Sequence, residues 1–304
     1  MPLIGALVVK EFQTWLRGRL TFALFTLLVA VVAILFLLMG LLILAPDANA
    51  APALFSTTST TGTNLLVANR ALFLFGAIGL CVVLAAAVVA PAVAGSAFAV
   101  ERERGTMDLM LLQGPSSARV VLGKVLAALL FSLLLLAMAA PFFTPAWSYG
   151  GVQPDAVIAF VSVLVTATML FSALGVFFAA VLRGPLQATL VAQAAALFLL
   201  FGTLGLYLAF AVLGGTDALK PLLWLNPFLG VLSGGGPVTD QFARGAPAAY
   251  RGALFLPAVG WIRGMLVPAW LIGSIAWVAL AITLVFGAAV AIDPCHPLKG
   301  RTST

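Results

Sequence analysis

Long uncharged apolar runs alternate with short polar stretches along this chain. The runs cover 20–45, 71–100, 120–143, 156–182, 186–213 and 266–292, the third carrying Lys124 at its cytoplasmic end and being charge-free from Val125. Each reaches the roughly 20 apolar residues that a helix needs to cross a bilayer. The pattern predicts an all-α integral membrane protein, with residues 1–304 forming a single transmembrane domain of six transmembrane helices. Pro91, in the second half of the second run, predicts a kink, because proline removes a backbone hydrogen bond.

The polar intervals carry further structure. Ahead of the first span, Ile4, Leu7, Val8, Phe12, Trp15 and Leu16 recur at helical spacing, with Lys10, Gln13, Thr14 and Arg17 on the other side. This is the pattern of an amphipathic helix lying in the interface. A frayed start of the first span is the alternative. Ala48-Asn49-Ala50 has the form of a signal-peptide cleavage site. The apolar region before it is far longer than the roughly 7–15 residues of a signal peptide, so the first run is kept as a span. Residues 46–69 read as an outside loop, and 144–155 as a short turn whose Trp147 and Tyr149 suit the headgroup level. Residues 214–265 form a long extracytoplasmic segment before the last span. Within it, 219–232 is apolar but interrupted by Pro221, Asn226 and Pro227, and too short to cross. A re-entrant or interfacial helix is expected there, and a second interfacial piece over 250–262.

An even number of spans puts both termini on one side, and the basic residues choose it. Lys10, Arg17, Arg19, Arg102, Arg104, Arg119, Lys124, Arg183, Lys299 and Arg301 fall on the side of the termini. Arg70, Lys220, Arg244, Arg251 and Arg263 fall on the other, mostly in the longest loop. The positive-inside rule makes the termini cytoplasmic, in a multi-pass protein of the cytoplasmic membrane.

Composition agrees with a bilayer as solvent. Hydrophobic residues make up 63% and charged residues 8%, against about 25% charged in soluble domains. The formal charge of +6 would ordinarily suggest acidic partners. Here the basic residues sit between apolar runs, which fits orientation in a lipid membrane and not nucleic-acid binding.

One polar interval stands apart. Residues 101–119 connect the second and third spans and open on Glu101, Arg102, Glu103 and Arg104. Thr106 can cap a short helix and Asp108 sits in its first turn, where the helix dipole favours an anion. Met107, Leu109, Met110, Leu111 and Leu112 make it mostly apolar, and Gly114-Pro115 ends it. Ser116 or Ser117 then caps the third span.

Catalytic chemistry is absent from the pattern. No G-x-x-x-x-G-K-[ST] motif occurs, since Gly123-Lys124 is followed by Val125 and has no glycine five residues before it. His296 beside Cys295 reads as a solvated tail, and Cys81 and Cys295 form no spaced set for a metal or a disulfide framework. Gly95-Ser96 lacks any histidine within a span to act as a base, so it reads as a close-packing site. The span interiors lack the ionisable residues that ion-coupled carriers place at depth. Ser162, Thr166, Thr168, Ser172, Gln187 and Gln193 remain, with helix–helix hydrogen bonding as their expected role and lining of a path as the alternative.

The run Glu101-Arg102-Glu103-Arg104-Gly105-Thr106-Met107-Asp108-Leu109, with Gly114-Pro115 and Gly123-Lys124 after it, resembles the E-R-E-x-G-T-L-E-L signature of type-2 ATP-binding-cassette (ABC) permeases. Met107 and Asp108 stand where leucine and glutamate are commoner. Lys10-Glu11-Phe12 before the first span is also similar to that family. The resemblance implies the permease subunit of an ATP-driven exporter, without an ATPase of its own. It would pair with a second copy or a sister permease and with separate ABC ATPase subunits, which carry ATP and Mg; this chain would bind no cofactor. The ATPase-coupling residues so implied are Glu101, Arg102, Glu103, Arg104, Gly105, Thr106, Met107, Asp108, Met110 and Leu111, with Lys10, Glu11, Phe12, Trp15 and Arg17 in the interfacial helix. Read without the resemblance, Glu101 and Arg104 can simply pair on a helix end. The chain would then be a membrane scaffold or assembly factor, or an ion-independent channel or carrier. A co-purifying ATPase distinguishes these from a permease.

Overall fold

A computed structural model of the chain describes residues 9, 13, 23, 26, 27, 29–34, 36–38, 63–96, 98, 116–148, 152, 154–182, 184–212, 225–234, 259–262 and 265–292. Among them the secondary structure is helical apart from one short hairpin. An apolar helix, α1, covers Val29–Leu38, inside the expected first span. It is followed by α2 (Thr63–Gly95), α3 (Ser117–Ala137), a 3-10 turn (Ala140–Phe143), α4 (Thr144–Ser148), α5 (Pro154–Val181) and α6 (Pro185–Leu197). A π-turn (Phe198–Gly202) joins α6 to α7 (Thr203–Val212), and α8 (Pro227–Gly234) precedes the hairpin of β1 (Val259–Ile262) and β2 (Met265–Pro268). The last helix is α9 (Ala269–Ile292).

Five helical segments among the described residues are long and apolar enough to span: Leu74–Gly95, Ser117–Ala137, Pro154–Val181, Pro185–Tyr207 and Trp270–Ile292. They match the last five runs of the sequence, with shifted ends. The second span stops at Gly95, not at residue 100, and the Ser96 hydroxyl turns back onto the Val93 carbonyl at 3.0 Å. It also begins earlier, inside the stretch expected as loop. Its 33 residues make a rod of about 50 Å, longer than the roughly 30 Å hydrocarbon core. Pro91 lies within this helix, which continues through it. The third span ends at Ala137, short of the expected 143, because Pro141 can only start a new turn and does so in the 3-10 helix. The expected turn after it contains α4, whose Trp147 is exposed.

The segment before α9 departs furthest from expectation. Of the re-entrant stretch expected over 219–232, residues 225–232 are described: a turn at Leu225 and Asn226, then α8 from Pro227. The described end of the interfacial piece expected over 250–262 is a strand, β1, paired antiparallel with β2 from Val259↔Pro268 to Ile262↔Met265. The last helix consequently starts at Ala269, after Pro268 has closed the strand.

α5 is the centre of the bundle and packs on α2, α3, α6, α8 and α9. Its buried positions include Ala159, Val163, Ala167, Leu170, Phe171, Ala173 and Val176. Lipid tails are as apolar as leucine, so helices in a bilayer gain from close backbone approach and from hydrogen bonds. α6 shows the first device: Ala188, Ala192 and Ala196, four apart, form a buried small-residue stripe. The second is seen where Thr166 of α5 reaches Ser274 of α9 at 3.3 Å. Thr168 bonds only within its own helix, to Leu164, and buried Ser172 has no hydrogen-bond partner, so neither joins helices by hydrogen bonds as expected. At the other end of the bundle Phe75, Phe143 and Phe160 pack ring to ring with centroids 5.0–5.7 Å apart. Phe142 meets Phe36 of α1 at 5.7 Å, tying α1 to the same cluster.

Burial is uneven. The apolar stretch of Pro154–Val181 is 56% buried, but that of Pro185–Tyr207 is 22% and that of Trp270–Ile292 28%. Leu186, Leu190, Phe198, Phe201 and Phe210 on one rod, and Ile275, Ile282 and Phe286 on the other, are exposed. These surfaces suit lipid tails or another membrane subunit.

Candidate coupling site

The site residues named from the sequence, Glu101 to Leu111, lie outside the described residues, as do Lys10, Glu11, Phe12, Trp15 and Arg17. Near them, Val9 and Gln13 are helical and exposed. What the structure does describe is the frame on either side of the polar stretch, from Phe98 at one end to Ser116 at the other.

On the α2 side the frame is close-packed because of two glycines. A Cβ on Gly95 would stand 2.6 Å from the Thr189 hydroxyl of α6 and 2.9 Å from the Thr189 Cα. A Cβ on Gly175 of α5 would stand 2.5 Å from the Ala94 Cβ and 3.1 Å from the Gly95 nitrogen and the Pro91 carbonyl oxygen. Backbones approach this closely only where side chains are absent. Gln193 of α6 adds a bond across the gap, donating to the Val88 carbonyl at 3.2 Å. Gly95 thus has the packing role expected of it, and Gln193 the interhelical bond. Gln187 is exposed instead and lies against Gly184 in the turn before α6.

On the α3 side Ser116 occupies the position before the helix. Its carbonyl accepts from Arg119 and Val120, at 2.8 and 3.3 Å, but its hydroxyl makes no capping bond. Two turns on, Lys124 is 1% exposed, although the sequence placed it at the watery end of the span. Its Nζ sits 4.9 Å from the centroid of the Phe98 ring, which is itself fully buried. The ring face is the negative end of the aromatic quadrupole, and a desolvated contact of this kind contributes about 2 kcal/mol. Lys124 therefore ties the residue just past α2 to the first turns of α3. The two ends of the polar stretch are fixed to each other and to α5 and α6.

Among the described residues no cluster of His, Cys, Asp or Glu could hold a metal. The frame links both ends of the polar stretch to several spans. Sequence reasoning missed Gly175, Thr189, Phe98 and buried Lys124. The signals available were small residues inside apolar runs and a lone cation close to a span.

No curated protein matches the chain. A model of the ABC-2 family transporter proteins matches residues 6–272, which includes the polar stretch, its frame, the first four described spans and the start of the fifth. The chain belongs to the ABC-2 transporter family and is a multi-pass membrane permease.

Proposed function

We propose that this chain is the permease subunit of an ATP-driven exporter, coupled through residues 101–112 to a separate ATPase that binds ATP and Mg. The observation that carries the reading is the frame. Gly95 and Gly175 wedge the end of α2 against α5 and α6, and Lys124 joins Phe98 to α3. A push on the stretch between Phe98 and Ser116 therefore reaches ends that are fixed to the spans. The charged run Glu101 to Arg104 and the apolar Met107, Met110 and Leu111 supply contacts for a partner groove. A second copy or a sister permease covers part of the exposed α6–α7 and α9 surfaces, and lipid covers the rest. The Lys10–Arg17 segment lies on the cytoplasmic interface, and both termini are cytoplasmic.

Purification in mild detergent is expected to recover a stoichiometric ATPase with the chain. The chain freed of that partner is expected to hydrolyse ATP no faster than a detergent blank. Robust hydrolysis by the pure chain would overturn the reading. Orientation is tested separately, in a background lacking Cys81 and Cys295. Cysteines at Ser59 and Gly235 are expected to react with an impermeant maleimide on sealed cells, and a cysteine at Gly105 only after permeabilisation. Outside labelling at Gly105 would reverse the topology.

A further inference from the structure

Midway along the rod of α6 and α7 the α-helical ladder is interrupted, and a residue from outside the rod holds the interruption. In the π-turn Phe198–Gly202 the Thr203 amide bonds back to the Phe198 carbonyl, five residues behind. The α-helical acceptor of that amide would have been Leu199. The Leu199 carbonyl instead accepts from the Thr203 hydroxyl, at 2.7 Å. Asn226 completes the arrangement from the turn before α8. Its amide group donates to the Leu200 carbonyl at 2.6 Å and to Thr203 Oγ1 at 2.8 Å. Its Oδ1 accepts from the Phe228 amide at 2.9 Å. The orientation of the Asn226 amide follows from its partners, since a flipped group would set oxygen against the Leu200 carbonyl. Asn226 is fully buried, and beside it the indole N–H of buried Trp277 in α9 donates to the Leu225 carbonyl at 2.9 Å.

The effect on the rod is visible in its exposed face. On α6 that face includes Leu186, Leu190 and Ala194. An unbroken helix of about 3.6 residues per turn would carry it on to positions 204 and 208. Position 204 is instead half-buried, and among the described side chains of α7 Gly205, Leu206, Ala209 and Phe210 are exposed, with Thr203 and Tyr207 buried. The face is displaced by one residue, the extra residue of a π-turn. A side chain inserted into the helical ladder is a recognised cause of such a departure.

We propose that Asn226 is a positioning residue that sets the register of this span. With its amide on Leu200 and Thr203 the rod holds the extra residue. Without it the turn closes to an α-turn, and α7 rotates by about 100° relative to α6, the angle of one residue. The span then has two discrete registers, and the docking of α8 selects between them. Wide turns of this kind occur often at functional sites.

The bonds involve no ATPase, so the full chain in liposomes is sufficient for a test. Nitroxide labels placed singly along 186–194 and 204–211 report collision with oxygen, which is concentrated in the bilayer. In the parent chain, maxima are expected at the exposed α6 positions and at 205–206 and 209–210. In Asn226→Ala, and in Asn226→Asp, which keeps the acceptor for Phe228 but loses both donors, the α7 maxima are expected to move one residue earlier relative to α6. Unmoved maxima in either variant that inserts would overturn the proposal. Should neither insert, deletion of Leu199 decides. Removing the extra residue is expected to leave an inserted protein with the parental α7 maxima, counted by the original numbers. A shifted pattern, or failure to insert, counts against the proposal.

Discussion

Gly175→Ala is expected to destabilise the transmembrane bundle by about 1–3 kcal/mol, the cost of overpacking a well-filled core, while Gly205→Ala is expected to leave it unchanged or stabilise it. Both glycines lie inside helices, α5 and α7. In each, alanine relieves the backbone-entropy cost of glycine, worth roughly 0.5–1 kcal/mol in favour of the variant. The difference is what the new methyl meets. At Gly205 there is nothing within 4 Å. At Gly175 it meets the Ala94 Cβ at 2.5 Å, with backbone atoms of Pro91 and Gly95 at 3.1 Å. Backbone cannot swing aside as a long side chain can, so α2 must move off α5. Gly175→Val should enlarge the loss. Denaturation midpoints in mixed micelles, followed by helicity, give the comparison. Equal midpoints for Gly175→Ala and Gly205→Ala would mean that the α2–α5 crossing is not close-packed.

The same contact shows which part of the fold was readable from the sequence. The spans were readable because a bilayer excludes charge, and each of the last five runs contains a helix long and apolar enough to cross. Their ends were not. Phe98 is as apolar as Val93, yet the helix stops at Gly95, because composition does not distinguish a buried turn from another turn of helix. The strands Val259–Ile262 and Met265–Pro268 were read differently for a related reason: a short apolar run has no decisive period.

For the site, the sequence located the polar stretch and its flanking breakers but not the frame. That Gly95 needs close approach was legible, but that Thr189 approaches it was not, since that pairing is made by tertiary packing. Asn226-Pro227 was legible as a break. That Asn226 reaches Leu200 and so displaces the face of a distant span depends on where the chain returns, which no local pattern records.

Glu103→Lys is expected to leave membrane abundance normal while weakening ATPase capture by about two orders of magnitude or more and abolishing transport. The charge lies among the residues that join two spans at their polar ends, so its reversal incurs little of the penalty that a charge has in hydrocarbon. Loss of an exposed ion pair with Arg104 or another neighbour would cost only about 0–1 kcal/mol. Insertion should therefore proceed. At a desolvated contact with an ATPase the balance differs, because setting like charges against each other there costs several kcal/mol. Each 1.4 kcal/mol is about tenfold in affinity, which gives the expected loss. Met107→Asp with Met110→Asp removes the apolar contribution to the same contact and is expected to act in the same direction. The frame predicts a further distinction. Gly175→Ala loosens the packing of α2 on α5, so it should lower the denaturation midpoint, whereas Glu103→Lys should not. Abundance by quantitative immunoblot, capture by pull-down of the co-purifying ATPase, and the denaturation midpoint separate the two effects. Normal capture in both Glu103→Lys and the methionine double variant would remove the coupling role from residues 101–112.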